Sequence, residues 1–184
     1  MISTRARNSF DQMLMLGIKA STGWRAPDAC VVEIVPNLNS IKESNLVVVT
    51  VASFLFRLSV CIYFTPDDET RRHFVPSDSE DPATTDDQVF FDAIRECGNI
   101  CCGTLNRELA RVFPHVAMST PNIVERECGN YLESLNGGHL QHFRAVTEDG
   151  KQFFATLCVR DYADVDFAWE VAEEVTESGE MEFF

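Results

Sequence analysis

The spacing of apolar residues changes several times along the chain, and each change marks an element. Over residues 8–23, Phe10, Met13, Leu14, Leu16 and Ile18 recur at helical spacing, with Asn8 or Ser9 able to cap the start and Gly23 to end it. Gly17 weakens this first helix slightly. Residues 29–35 read as a strand closed by Pro36, and residues 37–45 are polar and turn-like. Residues 46–65 are too long for one ordinary strand; they predict two strands or one long bent strand, with Ser53 and Ser59 marking breaks or bends.

Residues 66–88 are acidic and rich in Asp, Ser, Thr and Pro, with few apolar residues beyond Phe74 and Val75, which predicts a mobile surface loop. A long helix follows over about 87–112, capped by Asp86 or Asp87 and stopped by Pro114. Residues 115–120 read as a short extended piece, and 122–135 as another helix ended by Asn136, Gly137 and Gly138. Alternation over 139–146 and 152–160 around Glu148, Asp149 and Gly150 gives a hairpin. Residues 166–184 form an acidic tail expected to fray, apart from Phe183 and Phe184. With no tandem repeat and no long hinge linker, residues 1–165 read as one domain.

The helix over 87–112 has two distinct sides. With successive residues rotated by about 100°, Phe90, Cys97, Gly98, Cys101, Leu105 and Val112 fall within about 60° of Ile94, an apolar stripe suited to a core. Opposite it cluster Asp92, Glu96, Asn99 and Gly103, flanked by Asn106 and Arg107. A carboxylate and a carboxamide three residues apart thus share an exposed face. Gly103, one turn beyond Asn99, offers no side chain to block an approaching partner. Glycine costs about 1 kcal/mol relative to alanine inside a helix; Gly98 has close packing as its reason, whereas Gly103 on the exposed side does not. Most Glu and Asn residues on such faces are merely solvated, and periodicity alone does not name a reaction.

Composition narrows the partner. The 184 residues carry a formal net charge of −14, which argues against nucleic acid, whose phosphates need a basic face. The same field would repel a small free phosphorylated metabolite but tolerate a phosphoryl group neutralised inside another protein. No signal-peptide core is evident near the start, and Arg57 interrupts the most apolar stretch, so neither export nor a membrane span is expected. Seven scattered cysteines then read as reduced thiols in a cytoplasm. Cys97 and Cys101, one helical turn apart, have possible metal-ligand spacing but sit on the apolar stripe. His139 and His142 would point to opposite faces of a strand, so no metal site is expected.

The segment from Asp92 to Pro121 resembles the signature of the CheC/CheX/FliY family of chemotaxis phosphatases. That signature is Asp or Ser, three residues, Glu, two residues, Asn, then about twenty-two residues and Pro. Asp92, Glu96 and Asn99 match the spacing, and Pro121 follows after 21 intervening residues. A single Glu-x-x-Asn helix is similar to CheX-like members rather than CheC-like ones, because Asp11-Gln12-Met13-Leu14 in the first helix offers no second motif.

The resemblance implies an α+β, CheC-like fold, a mostly antiparallel sheet with two long helices packed on it. It implies hydrolysis of the aspartyl phosphate of a CheY-like receiver, with Asn99 positioning the water and Glu96 docking to the receiver's lysine. Asp92, Gly103, Asn106 and Pro121 would form the rest of the partner face. The protein would need no cofactor of its own, the receiver supplying Mg2+, and would be a cytoplasmic homodimer joined through its sheets. The rival class is a non-catalytic receiver-binding or scaffold module; a free-standing metal-dependent hydrolase lacks a ligand cluster.

Overall fold

The computed structural model of the protein describes residues 1–39, 41–75, 86–135 and 137–170. Its elements in chain order are α1 (Thr4–Thr22), β1 (Val31–Val35), β2 (Asn45–Ala52), β3 (Phe56–Phe64), α2 (Asp68–Phe74), α3 (Asp87–Ala110), β4 (Ala117–Met118), β5 (Asn122–Glu125), β6 (His139–Val146) and β7 (Gln152–Asp161). The strands form one antiparallel sheet in the order β1-β6-β7-β3-β2-β4, with β5 also paired to β2. This is the α+β architecture expected, with α1 and α3 side by side across one face.

Alternation builds the two sides of the sheet. Val47, Val49 and Val51 of β2, Leu58, Val60 and Ile62 of β3 and Phe153, Ala155, Leu157 and Val159 of β7 point into the main core beneath the helices. Their neighbours Leu46, Cys61, Tyr63 and Cys158 point the other way and form a smaller cluster with Ile41 and Leu132. Phe10 of α1 and Phe90 and Ile94 of α3 are fully buried against the first face. Fully burying a side chain of this size is worth roughly 1.5–3 kcal/mol, so these helices hold to the sheet through their apolar stripes rather than their propensities.

The hairpins have local causes. Between β2 and β3 the Ser53 N–H donates to the Phe56 carbonyl at 2.9 Å. Ser53 Oγ accepts from the N–H groups of Leu55 and Phe56, so Ser53 is the turn, while Ser59 continues β3 in register with Cys158. Between β6 and β7, Gly150 takes a φ of 81°, the left-handed conformation that glycine adopts without a Cβ penalty.

Three sequence expectations need correction. The first helix begins at Thr4, because Ser3 rather than Asn8 or Ser9 caps it, Ser3 Oγ accepting from Ala6 N–H. Residues 66–88 are not simply a loop: Asp67 caps α2 by accepting from Thr70 N–H at 2.8 Å, and Thr70, His73, Phe74 and Val75 are buried. The remainder of that acidic segment, 76–85, lies outside the described residues. Residues 122–135 are not a helix; β5 adds to β2, and two short 3-10 turns, Arg126–Tyr131 and Glu133–Leu135, follow. Residues 122–125 pair with the edge of β2 and Leu132 packs with Leu46, Cys61 and Tyr63 on the sheet's outer face, and these tertiary contacts override the local helical pattern. Asn136 is outside the described residues.

The tail boundary also moves. Residues 166–169 pack back onto the helices: Asp166 accepts from Ser3 and Arg5, Phe167 stacks edge-on against Phe10 and Phe113, and the Trp169 indole N–H donates to buried Glu108 at 3.2 Å. Residues 171–184, with Phe183 and Phe184, lie outside the described residues. No helix among the described residues is long and apolar enough to cross a membrane.

Candidate active site

Helix α3 is placed by three close approaches. Asp86 caps it, accepting from Gln88 N–H at 3.1 Å, and Arg71 of α2 pairs with Asp87 and lies over the Phe90 ring. At its middle, α1 crosses so closely that a Cβ on Gly17 would stand 2.5 Å from the Cys101 carbonyl oxygen. On its other flank a Cβ on Gly98 would meet methyl groups of Val47 and Val49 at 3.2 Å and Pro121 at 3.5 Å. Phe90, Ile94, Cys97, Gly98, Cys101 and Leu105 are buried as the stripe predicts, but the helix ends at Ala110 and Val112 is exposed.

The opposite side faces solvent. Glu96 and Asp92 are exposed and Asn99 is half-buried. The Asn99 amide Nδ2–H donates to Glu96 Oε2 at 3.1 Å. This bond orients the amide: its nitrogen is turned to Glu96, which leaves Oδ1, an acceptor with two lone pairs, directed elsewhere. Asp92 accepts from Gln88 at 2.9 Å and from Arg95 at 2.8 Å. Its charge is thereby matched locally, whereas the Glu96 carboxylate receives, among the described residues, only a neutral amide. Among the described residues, a Cβ on Gly103 would have nothing within 4 Å, so one turn beyond Asn99 the surface they form is open.

Pro121 reaches the site from a different element. The Ser119 N–H donates to Thr50 O at 2.8 Å, and Ser119 Oγ accepts from Thr50 N–H at 3.0 Å. These bonds hold the segment on the edge of β2 and set the half-buried Pro121 against Gly98, on the flank of α3 nearest Asn99. Asn106 is half-buried as well, and its Oδ1 is closed off from solvent with no hydrogen-bond partner among the described residues. It therefore belongs to the edge of the face rather than its centre.

Going round the helix from Gly98, the order is Asn106, Asn99, Asp92, Gly103, Glu96 and then Ile100 and Ala93. Beyond Glu96 lies an apolar groove of about 280 Å³, lined by Ser21, Trp24, Phe74, Ala93, Cys97 and Ile100 as well as Glu96 itself. Sequence reasoning missed this groove. Its one legible sign was Ile100, an apolar residue on the polar side of the helical wheel; Trp24 and Phe74 come from elements distant in the chain.

The cysteines on this helix sit in the core. Burial pushes the Cys97 thiol up, and hydrogen bonding with Cys102 together with burial pushes Cys101 up, so both remain neutral thiols. His139 Nε2 lies 2.7 Å from Asp11 Oδ1 beneath α1, while His142 Nδ1 lies 2.8 Å from Thr156 Oγ1 on the other face of the sheet. Where a second motif would have to project from α1, Asp11 is instead buried in that pair.

No family model and no curated protein sequence matches the chain. Solved structures do. The CheX–CheY–BeF3–Mg2+ complex from Borrelia burgdorferi matches with a TM-score of 0.59 at 18% identity, over 84% of this chain and 97% of that one. Chemotaxis protein CheX from Vibrio vulnificus matches with a TM-score of 0.56 at 16% identity, over 83% and 97%. A CheC-like superfamily protein from Shewanella sp. PV-4 matches with a TM-score of 0.54 at 14% identity, over 86% and 99%. The chain thus has the CheC-like fold, and it spans nearly the whole length of these single-domain structures.

Proposed function

We propose that the protein is a phosphatase that hydrolyses the aspartyl phosphate of a CheY-like receiver. One observation carries this reading: Glu96 and Asn99 are hydrogen-bonded to each other on an open face of α3, in a fold shared with a CheX structure determined together with CheY. A receiver brings its own phosphoryl group and divalent cation, which neutralise the charge on the transferred oxygens. What the receiver lacks is a fixed water in line with the scissile P–O bond.

Asn99 supplies that. Its amide nitrogen is held by Glu96, so Oδ1 is free to accept an O–H from the water and aim the oxygen lone pair at phosphorus. Attack forms the new P–O bond, the bond to the aspartyl oxygen breaks, and the aspartate leaves as a carboxylate. Water's proton departs with inorganic phosphate or to solvent. Glu96 keeps Oε1 for the lysine of the receiver and docks the helix; it need not act as a base. Gly103 and Pro121 leave and shape the space into which the receiver surface fits, with Asp92 and Asn106 at its margin. The Mg2+ of the reaction belongs to the receiver.

The same reading makes the protein a cytoplasmic homodimer. The outer edge of β1, where Val31 and Ile34 are exposed, supports joining through the sheets.

The test is direct. A receiver from the same cell is phosphorylated with a small phosphodonor and its loss of phosphoryl group is followed. Wild type accelerates the loss, Asn99→Ala slows it by roughly 10²-fold while binding survives, and Glu96→Ala weakens both binding and turnover. If wild type binds a phosphorylated receiver but leaves its lifetime unchanged, the protein is a non-catalytic receiver-binding module and the phosphatase reading is wrong.

A further inference from the structure

We propose that the groove between Trp24 and Ile100 seats an exposed apolar side chain of the receiver, one that neighbours the lysine facing Glu96. The inference rests on the phosphatase reading for its partner and extends the docking surface from α3 onto the end of α1.

The groove is continuous with the Glu96–Asn99 face, because Glu96 is both a member of that pair and part of the groove wall. Asn99, Glu96 and Ile100 follow one another round the helix at steps of roughly 60° and 40°. A surface that places a cation on Glu96 and a phosphoryl aspartate at Asn99 therefore extends over Ile100. Trp24 and Ile100 are 41% and 39% exposed, so substantial apolar area on both walls awaits cover.

The lining selects the chemistry. Ser21 Oγ already donates to the Ile18 carbonyl, burial keeps Cys97 a neutral thiol, and Phe74 and Ala93 are apolar. Apart from the rim carboxylate of Glu96, no polar group among the described residues is free to converge on the space. At about 280 Å³ it has room for one large apolar side chain, and its near-absence of directing polar groups sets it apart from a small-molecule site. Its wall is preorganised: the Arg25 guanidinium lies 4.9 Å from the Trp24 ring centroid, and Arg25 Nη2–H donates to the Arg72 carbonyl of α2 at 3.1 Å.

Charge decides between occupants. A second copy docked symmetrically here would bring two Glu96 carboxylates together in a chain of net charge −14. The chain's own residues 171–184 carry Glu173, Glu174, Glu177, Glu180 and Glu182 and no cation, so they too would bring like charge to the rim. A receiver surface with a lysine beside an apolar residue matches both the rim and the groove.

The experiment uses the full chain and a receiver charged with BeF3− and Mg2+, whose binding is measured by calorimetry alongside KM and kcat for the phosphorylated form. Ile100→Asp and Trp24→Ala are both exposed changes, and unfolding curves check that each still melts cooperatively. Burying one apolar side chain corresponds to roughly ten- to a hundredfold in affinity. Ile100→Asp is expected to raise Kd and KM by that factor, and Trp24→Ala by about tenfold, with kcat at saturating receiver moving much less. If both variants keep the wild-type Kd and KM while Asn99→Ala still slows turnover by roughly 10²-fold, the groove is not a docking site and the phosphatase reading stands. If Ile100→Asp loses affinity although wild type shows no turnover, the groove stands and the phosphatase reading falls. If Ile100→Asp halves the mass in solution, the occupant is a second copy; if removing residues 171–184 lowers Kd, it is the chain's own tail. Either result overturns the proposal.

Discussion

The inner and outer sides of α3 use glycine for opposite purposes. Where α1 crosses α3, a Cβ on Gly17 would collide with the backbone oxygen of Cys101, and on the flank toward β2 a Cβ on Gly98 would press on Val47 and Val49. These glycines let backbones approach, and the close packing offsets their poor helix propensity. On the outer side a Cβ on Gly103 would touch nothing within 4 Å among the described residues. There the helix accepts a cost of about 1 kcal/mol with no packing gained in return. A glycine in contact with its surroundings has a structural reason. A glycine in open space beside Glu96 and Asn99 points to something that arrives from outside.

The largest effect should come from the inner side. Gly17→Ala puts a methyl 2.5 Å from a backbone carbonyl oxygen, which cannot rotate away as a side chain would. The helices must separate, and overpacking of this kind costs typically about 1–3 kcal/mol, here at the upper end. In denaturant titrations the midpoint should fall with little change in slope. A variant as stable as wild type would mean that the helix pair shifts freely, and the inner side is not the rigid seat that the site requires.

The outer glycine should answer in the other direction. Gly103→Ala meets no neighbour and gains helix propensity, so stability should rise by about 0.5–1 kcal/mol. The phosphatase reading adds that the new methyl stands where the receiver approaches, so KM should rise several-fold. Stability and activity moving in opposite directions is the signature of a site kept open. If stability rises and receiver kinetics stay unchanged, Gly103 lies outside the interface and the contrast between the two sides is only structural.

How far the sequence discloses this contrast depends on range. The two stripes of α3, its Asp86 cap and its stop before Pro114 follow from local periodicity and turn chemistry, and so does the β6–β7 hairpin around Gly150. The extended start of α1 was legible only in hindsight, since Ser3 caps it without an apolar repeat nearby. The 122–135 segment misled because its helical pattern is local, whereas the edge of β2 that claims residues 122–125 lies more than seventy residues earlier in the chain. The Glu96–Asn99 face was visible as a pattern, but its chemistry came from resemblance alone. The groove was not visible, because Trp24, Phe74 and Ile100 meet only in three dimensions.

The smallest expected effect separates the two sides by pH. His73 of α2 is buried against Phe74 and Phe153, between the end of α1 and the β6–β7 turn. Its Nε2 lies 2.7 Å from the Thr22 carbonyl, which can only accept, so Nε2 carries the proton of the neutral ring. Nδ1 is then bare and has no partner among the described residues. Adding a proton there creates a buried cation, and burial holds the pKa below the ordinary 6.5, with Lys151 and Arg25 pushing the same way and Asp149 opposing. His142, also lowered by burial, acts in the same sense. The neutral form is favoured in the fold, so this contribution to stability is complete above about pH 6.5 and is lost as pH falls through the lower folded value. Thermal unfolding followed from pH 7.5 to 5.5 should show a falling midpoint, and His73→Gln should flatten part of that slope. A slope that survives in both His73→Gln and His142→Gln would place the titrating group outside these two buried imidazoles, and the assignment of the pH dependence to the inner side would fail.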